Sequence, residues 1–338
     1  RVLIETTTVP FGDIAFAAGF ASIRQFNDTV REVFALAPTD LRQRASRTQV
    51  PVATPGALHL RLAVRQPFGY DGVFGHLAAT AIPGCEEVRA GAYRRVLRLP
   101  LGNAIASLTP NPDHVRCTLI LDDFRDATVA IARCRRLLDL DADPSLIDPA
   151  LATLPRPASP GLRLPGSIDG FETAVRIILG QQVTVAAART LARRLVAELG
   201  QPVETPFDGL DRLFPTATDI AAADPERIGK LGIVRQRVAA LQALAREVAA
   251  GRIELQPNAA LTPTLEALRA LPGIGEWTLQ LIAMRVLAWP DAFPATDIGV
   301  LNALGTRDVA AVQACAEAWR PWRAYAVMGL WQSLGDKP

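Results

Sequence analysis

The chain has 338 residues, 49% hydrophobic and 21% charged, with a formal net charge of +2 and a pI near 8.5. That length allows two or three domains with sizeable cores, while no apolar run approaches the roughly 20 residues needed to span a bilayer and no secretory leader is evident. Charge so near balance does not by itself mark a polyanion-binding protein, so any nucleic-acid contact must come from local patches and backbone donors.

The sequence opens on Arg1 within a helical pattern and is expected to be part of something longer. Residues 1–47 read as helical. A short helix over Asp13–Ala18 ends at Gly19, and Ser22 caps a longer helix running to Phe34, which makes a helix-turn-helix. Residues 48–56, with two prolines and no periodicity, read as a linker. From Ala57 the period becomes two. Leu58, Leu60, Leu62 and Val64 share one face, and His59, Arg61 and Arg65 share the other, a half-buried strand. Further strands are expected at Tyr93–Leu99, Ala104–Leu108 and His114–Leu121, with helices at Val73–Ile82 and Ala127–Leu138. Residues 57–146 are thus expected to form a small α+β domain, an antiparallel sheet with two helices. After a Pro-rich bridge, Leu154–Ser167, the pattern is helical to the end. Helices are expected at Phe171–Gly180, Thr184–Leu199, Val234–Ala250, Leu265–Leu271, Trp277–Leu287, Val309–Trp319 and Arg323–Leu334.

The four cysteines, Cys85, Cys117, Cys134 and Cys315, and the three histidines, His59, His76 and His114, show no metal-ligand spacing. The thiols read as buried and the compartment as reducing, hence cytoplasmic. No zinc or iron–sulfur site is expected, and no cofactor.

The segment Leu271–Asp297 carries the chemistry. A helix ends at Leu271, Pro272-Gly273-Ile274-Gly275 makes a hairpin, and a new helix starts near Trp277. Two glycines in four residues let backbone N–H groups approach a ligand, and the following helix points its N-terminus at the same place. That suits a DNA phosphate and reads no base sequence, although an ordinary helix–helix turn has the same composition. Asp297 lies 22 residues beyond Gly275, in a Pro-containing loop immediately before the helical run IGVLNAL. Its ordinary role is an N-cap. A fixed carboxylate there can also stabilise an oxocarbenium-like sugar or orient water as a glycosidic bond breaks.

These residues resemble the helix-hairpin-helix glycosylase superfamily, and within it the AlkA-type alkylation-repair enzymes. The likeness spans about residues 57–335 and includes GLRLPG at Gly161–Gly166, RIILGQQVTVAAA at Arg176–Ala188 and RPWRAYAVMGLW at Arg320–Trp331. It implies an α+β domain followed by two helical domains, one from 147–171 with 290–338 and one over 172–289, with a cleft for a flipped nucleotide. It implies that Asp297 is catalytic and that Gly273 and Gly275 hold phosphate, often with a monovalent cation on hairpin carbonyls. Trp277, Trp331, Phe74 and His76 fall at pocket positions, where aromatic faces suit positively charged alkylated purines. Core packing is the alternative role for each aromatic. Gln182 falls where a wedge fills the gap left by the flipped base, a place usually apolar, and Leu281 stands where relatives can carry a pocket Tyr.

Where bifunctional relatives carry a Schiff-base Lys, this chain has Trp277, and its two lysines, Lys230 and Lys337, lie outside the motif. Water is therefore the expected nucleophile. The N-terminal IAFAAGF and SIRQFNDTVREVF resemble one helix-turn-helix of AraC-type regulators, with Ile23, Arg24, Gln25 and Asn27 at the start of its recognition helix. The expected partner is duplex DNA containing alkylated bases, bound by a monomer, with no membrane involved. A non-catalytic DNA-binding regulator of the adaptive response is the competing reading.

Overall fold

The computed structural model describes residues 3–4, 9–45 and 57–335. The expected linker at 48–56 and Lys337 lie outside the described residues. Contacts divide the chain into two compact units, one within Arg1–Val64 and Glu86–Arg135, the other within Arg65–Cys85 and Arg136–Pro338.

The described residues of the first unit include the helices Phe11–Ala17 (α1), Ile23–Phe34 (α2) and Pro38–Ala45 (α3). Ile14, Ala15, Phe26, Val30 and Leu41 bury their side chains among them. Ser22 caps α2 by accepting the Gln25 backbone N–H at 3.2 Å. Strand Ala57–Ala63 (β1) buries Leu58, Leu60 and Leu62 and exposes Arg61, the alternation the sequence predicts. The helix Tyr70–Thr80 (α4) interrupts the strands in sequence. Glu86–Arg89 (β2), Ala92–Arg98 (β3), Asn103–Asn111 (β4) and His114–Leu121 (β5) complete an antiparallel sheet of order β1-β5-β4-β3-β2. Strand β2 is not expected from the sequence, because EEVR has too little apolar character to signal a strand. Charge sets its register instead. Glu86 lies opposite Arg95 and Glu87 opposite Arg94, with ion pairs of 2.9 and 2.7 Å. The Tyr93 hydroxyl also donates to Glu86 at 2.8 Å, so this buried carboxylate is well satisfied.

Helix Ala127–Leu137 (α5) follows the sheet, and from there the second unit is helical. Its helices are Pro144–Ala150 (α6), Gly170–Leu179 (α7), Val185–Leu199 (α8), Ala217–Ala222 (α9), Pro225–Gly229 (α10), Arg235–Ala249 (α11), Leu261–Arg269 (α12), Glu276–Arg285 (α13), Ile298–Leu304 (α14), Val309–Ala316 (α15) and Arg323–Gly335 (α16). The short helices α6, α9 and α10 carry less than two turns of apolar pattern, which is why periodicity misses them. A two-stranded ribbon, Gln201–Pro202 with Arg212–Leu213, also corrects the expectation of helix throughout. At the centre lies α7, with nearly all of its side chains buried. Asp169 caps it by accepting the Glu172 N–H at 2.9 Å. By its contacts α4 belongs to this unit. Gly69 N–H donates to the Gly161 carbonyl at 2.9 Å, and Arg176 and Arg189 donate to the carbonyls of Thr80 and Ala81, each at 2.6 Å.

Cys85, Cys117 and Cys134 are buried free thiols, but Cys315 is exposed, contrary to the sequence reading. On α15 the inward side chains are Val312 and Ala316, one turn apart, and Cys315 lies off that stripe.

One half-buried acid, Asp139, is expected to make stability depend on pH. The Asp139 carboxylate accepts from Leu164 N–H at 2.9 Å and the Tyr325 hydroxyl at 2.8 Å. Burial nevertheless pushes its pKa up to about 6, against those hydrogen bonds and the nearby Arg163 charge. The folded chain therefore holds this proton more tightly than the unfolded chain, whose carboxyl titrates near 3.8. Stability falls as pH rises from about 4 to about 6, by on the order of 2 kcal/mol for this group. Asp139→Asn keeps an oxygen for both donors and removes the titration. Urea unfolding at pH 4.5 and pH 7 should show the stability of Asp139→Asn gaining on the parent's at the higher pH. An equal difference at the two pH values would exclude Asp139 as the source.

Candidate active site

The hairpin between α12 and α13 follows from its glycines. Gly273 has φ +75°, a conformation that penalises any side chain, and a methyl group there would come within 3.1 Å of Ala240 Cβ. Gly275 is the N-cap of α13, and no side chain caps that end, so the first N–H groups of the helix remain available to a ligand. Glu276 would repel an anion there, but Arg269 pairs with it at 3.2 Å and Gln280 donates to it at 2.8 Å.

Asp297 follows a loop that is fixed from both sides. Phe293 N–H donates to Gln280 Oε1 at 2.9 Å, and Asp297 N–H donates to the Pro294 carbonyl at 2.8 Å. Asp297 is the N-cap of α14, with Oδ1 accepting from Val300 N–H at 3.0 Å. The same oxygen accepts from Trp331 Nε1 at 2.8 Å, and Oδ2 accepts from Trp277 Nε1 at 2.8 Å. Asp297 is only 7% exposed. An ionised carboxylate offers about four acceptor sites, so three such donors leave about one for a sugar or a water. From the sequence, both tryptophans are expected to stack on the base, with core packing as the alternative. That their N–H edges converge on Asp297 has no local signal, because the three residues come from different parts of the chain. The polypeptide at Asp291 is tied to α16 by Arg323, which donates to the Asp291 carboxylate at 2.7 Å and to its carbonyl at 2.9 Å. Trp277 also lines a pocket with Gln280, Trp289, Phe293 and Thr296. Leu281 is buried in the core and does not line this pocket.

Gln182 lies in the exposed turn between α7 and α8 with φ +54°, unusual for a residue with a side chain. Val183 and Val185 beside it are exposed as well. The preceding Gln181, not singled out by the sequence reading, links this turn to the hairpin. Its Nε2 donates to the Gly273 carbonyl and to Thr278 Oγ1, both at 2.9 Å, while Arg237 donates to its carbonyl.

Phe74 and His76 lie on α4, both half-buried. Burial, and then the positive charges of Arg285 and Arg176, hold the His76 pKa well below the usual imidazole value, so the ring is neutral at pH 7. In the first unit, Arg24 is fully solvated apart from a 3.9 Å pair with Asp28. Gln25 is engaged locally, its Oε1 accepting from Ala21 N–H at 3.2 Å. Lys230 sits exposed at the end of α10. Among the described residues no group of three or more His, Cys, Asp or Glu side chains could hold a metal ion, and no helix is long and apolar enough to cross a membrane.

Residues 59–169 match the AlkA N-terminal domain, and residues 175–312 match the HhH-GPD superfamily base excision DNA repair protein model. The chain is 52% identical over 344 residues to the probable bifunctional transcriptional activator/DNA repair enzyme AlkA of Mycobacterium tuberculosis (strain ATCC 25618 / H37Rv), an alignment covering 99% of this chain and 69% of that protein. It is 33% identical over 276 residues to DNA-3-methyladenine glycosylase 2 of Escherichia coli (strain K12), covering 80% of this chain and 96% of the relative. Among solved structures, a 3-methyladenine DNA-glycosylase from Archaeoglobus fulgidus superposes with a TM-score of 0.70 at 21% identity, over 80% of this chain and 96% of that one.

Proposed function

The chain belongs to the HhH-GPD superfamily of base excision DNA repair proteins, in its AlkA branch, and from this premise we propose a monofunctional mechanism in which Asp297 is the essential carboxylate. The protein is a DNA glycosylase for alkylated bases and binds DNA. The observation that carries the mechanism is the Asp297 carboxylate, held by the indole N–H groups of Trp277 and Trp331 and one backbone N–H.

The uncapped start of α13 and the Gly273–Gly275 hairpin grip a phosphate without reading sequence. A monovalent cation, which the resemblance implies, would have to share the hairpin carbonyls with the protein's own donors, since the Gly273 carbonyl already accepts from Gln181 Nε2 at 2.9 Å. Gln182, strained and exposed, fills the stack where a nucleotide has been extruded. The pocket favours 3-methyladenine and 7-methylguanine because such bases are cationic. Trp277 offers a π face in its pocket, and by the family resemblance Trp331, Phe74 and His76 would face the base beside it, although they do not line the pocket at Trp277; a neutral His76 imidazole would not repel a cationic base. The C1′–N bond breaks with its electron pair leaving on the base, which becomes neutral. Positive charge appears on the sugar, where Asp297 stabilises it. Water bonds to C1′ and gives its proton to solvent. With a tryptophan at the hairpin position and Lys230 on α10, no lysine among the described residues supplies an amine nucleophile at the hairpin. The protein acts as a monomer, and Arg24, at the start of α2, adds a second DNA contact.

Methylated duplex DNA incubated with the protein should release free 3-methyladenine and 7-methylguanine on chromatography. The strand should stay intact until alkali is added, and borohydride should trap no covalent complex. Tight binding with no released base would support the regulator reading. A trapped adduct would refute the monofunctional one.

A further inference from the structure

We propose that Gly299 is a positioning residue for base release, because only a glycine there lets the Trp331 indole reach Asp297. This rests on the reading of Asp297 as the catalytic carboxylate. Gly299 is the second residue of α14, in ordinary helical backbone, so its own conformation does not call for glycine. What calls for it is the ring lying against it. A methyl group on Gly299 would stand 2.7 Å from Trp331 Cδ1, 2.9 Å from Trp331 Nε1 and 3.0 Å from Asp297 Oδ1. The last two are the donor and acceptor atoms of the 2.8 Å bond between Trp331 Nε1 and Asp297 Oδ1. Oδ1 cannot retreat, because it also caps α14 through Val300 N–H, and Oδ2 is held by Trp277. The indole must therefore swing away, and the carboxylate loses one of its three donors.

Helix propensity points the other way, since alanine is favoured over glycine inside a helix. Stability and activity should then separate. Single-turnover release of 3-methyladenine is measured for Gly299→Ala, Trp331→Ala and the double variant, with Asp297→Asn in the same assay. Gly299→Ala should slow release ~10-fold or more, as small misplacements of catalytic groups do, while the gain in helix propensity offsets part of the lost hydrogen bond and keeps the melting temperature near the parent's. The double variant should be no slower than Trp331→Ala, because the methyl group then meets no ring. In ¹⁵N spectra the Trp331 indole N–H resonance, identified by its loss in Trp331→Ala, should shift in Gly299→Ala. The proposal is overturned by an unmoved resonance, by release at the parent rate, or by a slowing that multiplies in full with that of Trp331→Ala. If Asp297→Asn releases base at the parent rate, the catalytic reading fails, while the resonance still decides whether Gly299 sets the contact.

Discussion

Asp297→Asn should slow single-turnover release of 3-methyladenine about 10²-fold or more while leaving binding to an abasic duplex near the parent level. Loss of one preorganised charged group at a site of developing charge commonly has that magnitude. An alkylated purine already leaves readily because it starts cationic, so stabilising the sugar is the main contribution left to the protein. The geometry adds a second consequence. If the amide oxygen stays on Val300 N–H and Trp331, the amide NH₂ faces the Trp277 indole N–H, now donor against donor. One buried donor then goes unpaired, at about 1–3 kcal/mol. The variant should therefore unfold at a lower temperature than the parent and still be folded in the assay. The hairpin and the Gln182 turn are untouched, so binding should persist. Parent-rate release with intact binding would reduce Asp297 to a helix cap.

Much of this architecture is legible in the sequence because it is written in short-range patterns. Period-two alternation marks β1, and Ser22 and Thr184 mark helix starts by the side-chain oxygens that accept the N–H three residues on. The hairpin is legible from its glycines, and Asp297 from its place between a Pro-containing loop and an apolar helix. What escapes is set by distant partners. The strand β2 exists because Glu86 and Glu87 meet Arg95 and Arg94, which no local window reveals. Gln181 reads as one of two adjacent glutamines until α13 is brought beside it. The tryptophans illustrate the limit best. Composition and spacing say that they are large and apolar, hence pocket or core. Only the fold shows their two N–H groups pointing at one carboxylate.

That convergence makes a graded series the sharpest test of the tryptophans. Trp277→Phe and Trp331→Phe each keep an aromatic face and remove one N–H donor from Asp297. A hydrogen bond to a charged group contributes about 1.5–3 kcal/mol, so each should slow release roughly 10-fold or more at saturating protein. Binding to a lesion duplex should change little, because a ring still faces the base. Trp277→Ala and Trp331→Ala lose the face as well, and with it on the order of 1–3 kcal/mol of stacking. They should weaken lesion binding in addition to slowing release. The double Phe variant leaves the carboxylate with Val300 N–H alone and should be slower than either single variant. Rates and binding need to be read separately, by single-turnover release and by titration of a lesion duplex. If the Phe variants match the parent and only the Ala variants fail, the tryptophans act by stacking and their hydrogen bonds to Asp297 carry no catalytic weight. If neither set changes rate or binding, both rings are core, and the pocket must be sought elsewhere in the helical unit.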